Sequence, residues 1–457
     1  MNNLFNRRAF LKQSAMTAVA GSSMLSSLGG LTNLQAALSQ NSAGNFPEYK
    51  ALVCIFLHGG NDGFNLLVPR DVDGYGVYQT SRQNLAVPQE SLLPVTPLSG
   101  GDFGFHPAMP EMQSLFQAGN LAIQSNVGTL IEPVTRAQII AGSANLPKQL
   151  FSHNDQQALW ETAYAGGPGN YGWGGQIADI VQAQNNSSVS MNISIAGNNL
   201  FQVGANNAPY SMKPSGPEEM LGIRNAVEGE QSRAAVFQRI RDLSSNSLLQ
   251  RTHANSIRKI QETAEVLINV LESAAPITTI FPEGNSLAEQ LAMVARMINS
   301  SETLGFQRQI FFVHMAGYDT HNMQNIEQPK LLATLSQAMK SFYDATVELG
   351  VANQVTSFTL SDFGRTLTSN GDGTDHGWGS HHMVMGGAVN GGDIYGTIPE
   401  LAIGGPDDAN GGRMIPTTSV EQYSATIARW FGLSDAELAQ VFPNLANFNT
   451  SNIGFMG

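Results

Sequence analysis

Apolar and polar positions alternate along this chain in blocks that read as strands and helices in turn. Ala51-Leu-Val-Cys-Ile-Phe-Leu57 is continuously apolar and ends in His58-Gly-Gly-Asn-Asp-Gly63. An uninterrupted run of that length predicts a strand covered on both faces, the kind that parallel sheets contain. Its polar tail then lies at the carboxyl end of the strand, where open α/β sheets bind ligands. Helical spacing over about 108–117 leads to a second strand at Leu121–Val127. Phe151-Ser-His-Asn-Asp155 opens a helix reaching Thr162, with Ser and Asn as good caps. Val189–Ala196 alternates in the manner of a strand. Residues about 218–273 are helical and comparatively charged, an insertion or cap on the sheet, and another helix covers about 287–298.

The second half repeats this rhythm. The strand Gln309–His314 ends in Met315-Ala-Gly-Tyr-Asp-Thr-His321. A helix over about 330–349 leads to the strand Val355–Leu360, which ends in Ser361-Asp-Phe-Gly-Arg-Thr366. A glycine-rich loop, Asn370–His382, precedes a strand beginning at Met383, and a last helix spans about 420–431. Strands alternating with helices predict a mostly parallel sheet with helices on both faces.

Composition narrows the function classes. The 457 residues carry 23 Lys+Arg against 36 Asp+Glu, a formal net charge of −13, with 42% hydrophobic and 13% charged. This is too apolar for a disordered chain and too interrupted for a polytopic membrane protein. The acidic balance argues against nonspecific nucleic-acid binding, which needs clustered cations. The single cysteine, Cys54, rules out an intrachain disulfide and cysteine-based metal frameworks, so any metal is held by His, Asp and Glu. No glycine-rich phosphate loop, dinucleotide fingerprint or nucleophile elbow is present.

The chemistry collects at strand ends. Asp62, Asp319 with His321, and Asp362 follow three predicted strands, and Asp375-His376 with His381-His382 precede another. Strand ends on one side of a parallel sheet converge, so carboxylates and imidazoles distant in sequence can meet around Zn²⁺ or Mn²⁺, as one ion or a pair. Each residue also has a plainer role available, as a turn or cap beside glycine. His58 and His314 suit core positions, and of His381 and His382 only one can face a shared site, because strand side chains alternate. Ser152, at a helix start that favours anions, is either a nucleophile activated by metal or base, or simply the cap. Arg365 either holds an oxyanion or pairs with a structural carboxylate.

The start of the chain, Asn6-Arg-Arg-Ala-Phe-Leu-Lys12, followed by a mildly apolar stretch to about Leu31 and by Ala36-Ala37, resembles a twin-arginine (Tat) export signal. The expected organisation is a signal peptide at 1–36 and a mature domain at 37–457, delivered by the Tat translocase to the periplasm or outside. No stretch is a convincing membrane span.

Taken in order, His-Gly-Gly-Asn-Asp-Gly (58–63), Phe-Ser-His-Asn-Asp-Gln-Gln (151–157), Gly-Tyr-Asp-Thr-His (317–321), Ser-Asp-Phe-Gly-Arg-Thr (361–366) and Gly-Thr-Asp-His-Gly-Trp-Gly-Ser-His-His (373–382) resemble domain of unknown function 1501. That family is grouped with the alkaline phosphatase/sulfatase-like superfamily. The resemblance implies a three-layer α/β/α sandwich with a bimetal site at the carboxyl ends of the strands. By position it implies Asp62, Asp319, His321, Asp362 and His382 (or His381) as metal ligands, with His376 as a further one, and Ser152 as nucleophile. The chain departs from the superfamily in its short Asp319-to-His321 spacing, in Phe363 where Asp-His is common, and in lacking a sulfatase signature. The expected function is an exported metal-dependent hydrolase of phosphate or sulfate esters acting on an anionic ester substrate. The rival expectation is a non-catalytic extracytoplasmic binding or assembly protein that keeps the fold.

Overall fold

A computed structural model describes residues 48–167, 169–218 and 247–457. The export segment at 1–36, the start of the mature chain at 37, and residues 219–246 of the helical insertion lie outside the described residues. Residues 48–218 and 268–457 belong to one compact unit and 247–267 to a second. Of the second, the described part is helical, within α5 (Leu248–Ser273).

The first unit is built on nine strands. Strand β1 (Lys50–His58) lies in the middle, with buried residues at every position from Ala51 to Leu57, as a strand covered on both faces requires. It pairs in parallel with β4 (Arg308–Ala316) and with β5 (Val355–Ser361). Beyond β4 come β3 (Asn192–Ser194) and Tyr210–Ser211, and beyond β5 come β6 (Ser380–Met385), β2 (Leu121–Gly128) and Ile394–Tyr395. Thr418–Ser419 also pairs with β2. The sheet is parallel except at β6, which runs antiparallel to both of its neighbours.

Helices pack in two separate groups. One holds α2 (Pro110–Gln117), α6 (Ser286–Asn299) and α7 (Gln324–Glu348); the other holds α3 (His153–Thr162), α4 (Trp173–Val181), α8 (Val420–Phe431) and α9 (Asp435–Val441). Two helix layers sandwich the sheet, so the fold is the expected three-layer α/β/α. Sequence explains the elements locally. Leu287, Leu291, Val294 and Ile298 put a buried stripe on α6, and Asn285 caps its start by accepting from the Ala288 amide at 2.9 Å. Helix α8 starts in a capping box of Ser419 and Gln422 and stops at Gly432, whose φ is 124°.

The structure corrects several boundaries. Helix α7 starts at Gln324, six residues before Lys330, with Pro329 inside it. Strand β3 keeps only three residues of the expected eight; at its ends serine hydroxyls take backbone amides, Ser190 accepting from Asn192 N–H at 3.3 Å and Ser194 from Ala196 N–H at 3.2 Å. Helix α4 and α1 (Val72–Arg82) were not predicted. Both contain glycines, and in α4 the reason is close packing: a Cβ on Gly175 would stand 2.1 Å from the Val203 carbonyl carbon. No described helix is long and apolar enough to cross a membrane.

Candidate metal centre

Four polar side chains meet outside the carboxyl edge of the sheet. Asp319 and His321 sit on the turn after β4, His376 ends the short strand Thr374–His376, and His153 is the first residue of α3. The turn is fixed by backbone. Tyr318 N–H donates to the His58 carbonyl at 3.1 Å, and Thr374 N–H donates to Thr320 at 3.1 Å. Gly59, with φ 114°, lets the β1 loop touch this turn, since a Cβ there would lie 2.4 Å from the Asp319 nitrogen.

Asp319 is the hub. Its Oδ1 lies 3.0 Å from His321 Nε2, 3.3 Å from His376 Nε2 and 2.7 Å from an Arg365 nitrogen; its Oδ2 lies 3.4 Å from His153 Nε2. His321 Nε2 and His376 Nε2 are 2.9 Å apart. His153, Asp319 and His376 offer ligand atoms all within 4.8 Å of one another.

Each imidazole is held from behind through Nδ1. His153 Nδ1 meets Asp362 Oδ2 at 2.6 Å, His321 Nδ1 meets Asp375 Oδ1 at 3.3 Å, and His376 Nδ1 meets the Phe151 carbonyl at 2.8 Å. All three partners are acceptors, so the acceptors assign the proton to Nδ1 and leave the Nε2 lone pairs facing inward. This pairing of ring and outer acceptor is the usual support of metal-binding histidines. Bonds of about 2.0–2.2 Å in a tetrahedron place donor atoms roughly 3.3–3.6 Å apart. Here His376 Nε2 and His153 Nε2 stand 3.3 and 3.4 Å from the two Asp319 oxygens, within a group whose donors span up to 4.8 Å. The donor set therefore fits a divalent cation. Burial raises the Asp319 pKa, but the Arg365 hydrogen bond and charge, with His321 and His153, outweigh it and hold the carboxyl below its usual range. Burial, helped by Arg365 and His153, lowers the His376 pKa against the pull of Phe151 and Asp319, which keeps its ring neutral.

The other expected site residues lie elsewhere or do other work. Asp62 is buried and not in the group. Its Oδ2 takes Arg82 and Gln324, the latter at 2.6 Å, and its Oδ1 caps a short helix at Asn65. A cation there would have to displace a buried arginine. Asp362 is fully buried and faces inward, accepting from Gly59 N–H, Gln157 and His153; it stands behind the centre as the partner of one imidazole. His381 and His382 point to opposite sides of β6, and neither reaches the cluster. His381 packs on Phe64 and accepts from the Asn126 amide, while His382 packs on Trp160 with Nδ1 at Thr359. Burial pushes their pKa values down to about 4 and about 3, so both are neutral core groups.

Arg365 is also fully buried and committed. It donates to Asp319, the Gly59 carbonyl, the Thr374 hydroxyl and the Thr374 carbonyl. It orients Asp319, and at full burial it presents no open face to an oxyanion. Ser152 lies between Phe151 and His153, and its hydroxyl donates to Asp155 at 2.6 Å. A hydroxyl-to-carboxylate contact of the same length occurs at Ser434 with Glu437, but there the hydroxyl also caps its helix by accepting from Glu437 N–H, which Ser152 does not do for α3. Half-buried His58 and His314 stack edge to face at 5.2 Å, outside the group. Phe363 floors the centre, its ring 4.8 Å from His153 and 4.6 Å from His376.

His153 is the member of the group that sequence reasoning passed over, although it stands next to Ser152 at the first position of α3. A cavity of about 600 Å³ elsewhere is lined by Thr135, Arg136, Ile140, Gly404 and Pro406 and holds none of the cluster. Its one charged group, Arg136, already donates to the Asp408 carbonyl.

No curated protein sequence matches the chain. Among solved structures, the chain has limited likeness to a Bacteroides thetaiotaomicron protein from work on metabolism of multiple glycosaminoglycans, with TM-score 0.36 and 9% identity over 86% of this chain and 74% of that one. It has similar likeness to the PsFucS1 sulfatase from Pseudoalteromonas sp., with TM-score 0.35 and 11% identity over 94% and 74%. Likeness of this size leaves activity open, and the architecture rests on the strand order itself. The sequence match is of a different order: over residues 49–442 the chain fits the family described as protein of unknown function (DUF1501), and it belongs to that family.

Proposed function

We propose that the chain is an exported, metal-dependent hydrolase of phosphate or sulfate esters. His153, Asp319 and His376 hold one divalent cation, zinc or manganese, and His321 stands beside it. The observation that carries this is the set of three imidazoles, each tethered through Nδ1, whose Nε2 atoms converge on one carboxylate. A bound cation supplies Lewis acidity toward an ester oxygen. Asp319, His153, His321 and His376 are between 22% and 42% exposed in their side chains, so an ester can approach. In this reading Ser152 Oγ attacks the phosphorus or sulfur as its proton passes to Asp155. The bond to the leaving oxygen breaks, and that oxygen takes the proton to depart as alcohol. Water then cleaves the serine ester, releasing phosphate or sulfate and restoring the hydroxyl. The twin-arginine start carries the protein out of the cytoplasm.

A second reading, a non-catalytic extracytoplasmic binding or assembly protein, is favoured by the Ser152 hydroxyl being engaged by Asp155, as a non-catalytic serine, Ser434, is by Glu437. Purified protein loaded with Zn²⁺ or Mn²⁺ separates the two when assayed on aryl phosphate, phosphodiester and aryl sulfate. The hydrolase reading expects turnover that His376→Ala abolishes and Ser152→Ala lowers by at least about a hundredfold. Metal binding without turnover on any ester selects the second reading. Turnover unaffected by Ser152→Ala removes the serine and leaves the cation as the catalytic group.

A further inference from the structure

The expected anion-holding arginine, Arg365, is fully buried, but another arginine is tied to a member of the same centre. Arg413 donates from Nε to the main-chain carbonyl of His376 at 3.1 Å and from Nη1 to the Asn410 carbonyl at 3.3 Å. Its guanidinium lies 4.8 Å from the centroid of the Phe151 ring, and the Phe151 carbonyl is the group that holds His376 Nδ1. Arginine and aromatic ring are thus both pinned to one candidate ligand, His376. Among the described residues, Nη2 of Arg413 makes no hydrogen bond, and Phe151 is 41% exposed.

The loop carrying Arg413 is built to stay put. Asp408, almost fully buried, accepts from the Gly404 and Gly412 amides at 2.9 Å each, and Ala409 N–H donates to the Arg413 carbonyl at 2.9 Å. Gly412, with φ 82°, packs against the Leu367 and Thr368 amides, where a Cβ would stand 2.8 Å away. A guanidinium fixed at two nitrogens, stacked on one face and open at the third nitrogen, presents parallel N–H donors suited to a tetrahedral oxyanion.

We propose that Arg413, backed by Phe151, forms an anion subsite at the rim of the metal centre that takes a phosphate or sulfate group of the substrate. The link to substrate rests on the hydrolase reading; the binding of an anion does not. Titration calorimetry of the full chain with inorganic phosphate and with sulfate, with and without Zn²⁺, tests it. Arg413→Gln is expected to weaken both anions about tenfold or more, with the protein still folded and still taking up Zn²⁺ at the parent's stoichiometry. Arg413→Lys, which keeps the charge but loses the planar fork, is expected to fall between the two. On an aryl ester, the loss in Arg413→Gln falls mainly on KM. No anion binding by the parent, or equal binding by Arg413→Gln, overturns the subsite. Arg413-dependent anion binding in a protein that takes up no Zn²⁺ overturns the hydrolase reading and leaves the subsite standing.

Discussion

Two sets of acids and imidazoles in this molecule look alike in sequence and differ in what their atoms are free to do. At the solvent edge, His153, His321 and His376 are tethered through one nitrogen and present the other beside Asp319. In the interior, Asp62 and Arg365 spend their polar atoms on neighbours, and His382 sits neutral against Trp160. Residue type and nearness to a strand end are shared by both sets. Ligand capacity belongs to the set whose lone pairs are left over once the fold has been held together.

The contrast makes opposite demands on mutants. The largest effect is expected inside. Asp62→Ala strands a buried Arg82 and should cost about 3–5 kcal/mol of stability, read by denaturant unfolding. Zn²⁺ stoichiometry of the folded fraction should be unchanged, and a lost equivalent of zinc would move Asp62 into the metal centre. Next comes His376→Ala, which removes a ligand from the edge. Zn²⁺ affinity should drop more than about a hundredfold, roughly 3 kcal/mol, while the melting temperature of the metal-free protein stays near that of the parent. Equal zinc affinity in both proteins would dissolve the distinction between the two sets.

Asp362→Asn probes the border between them. The amide no longer accepts from His153 Nδ1 as a carboxylate does, so zinc affinity should fall about 10–100-fold. A complete loss equal to that of His376→Ala would mean that Asp362 touches the ion. The smallest effect is a pH dependence from the core. Burial raises the Glu421 pKa to about 7, against backbone and Asn444 hydrogen bonds that lower it. Between its unfolded value of about 4.5 and 7, the folded state binds the proton and the unfolded state does not, so stability falls as pH rises through that window. Glu421→Gln should flatten this fall between pH 5 and 8 in melting curves of the metal-free protein. An unchanged slope would place the titrating group elsewhere, with Glu161, also raised by burial to about 7, the next to replace.

The sheet was legible because its central strands are covered on both faces: β1 and β4 leave apolar runs that end where the chain turns to the candidate site. Asp319, His321 and His376 could be gathered for the same reason. Glycine hid the rest. Helix α4 reads as a loop because Gly172 and Gly175 press against the 200–203 backbone, and nothing in the local pattern announces that distant contact. Asp62 and Asp362 could not be told from ligands, since the partners that use them up, Arg82, Gln324, Gln157 and His153, lie 20 to more than 200 residues away. His153 was overshadowed by the serine beside it. Its part emerges only when α3 is set against the turn that carries Asp319.

A zinc-soaked crystal measured at the zinc absorption edge tests the centre most directly. One anomalous peak within bonding distance of His153 Nε2, His376 Nε2 and an Asp319 oxygen is the expected result. A peak beside Asp62 or His382, or none in a crystal grown with excess Zn²⁺, would contradict it.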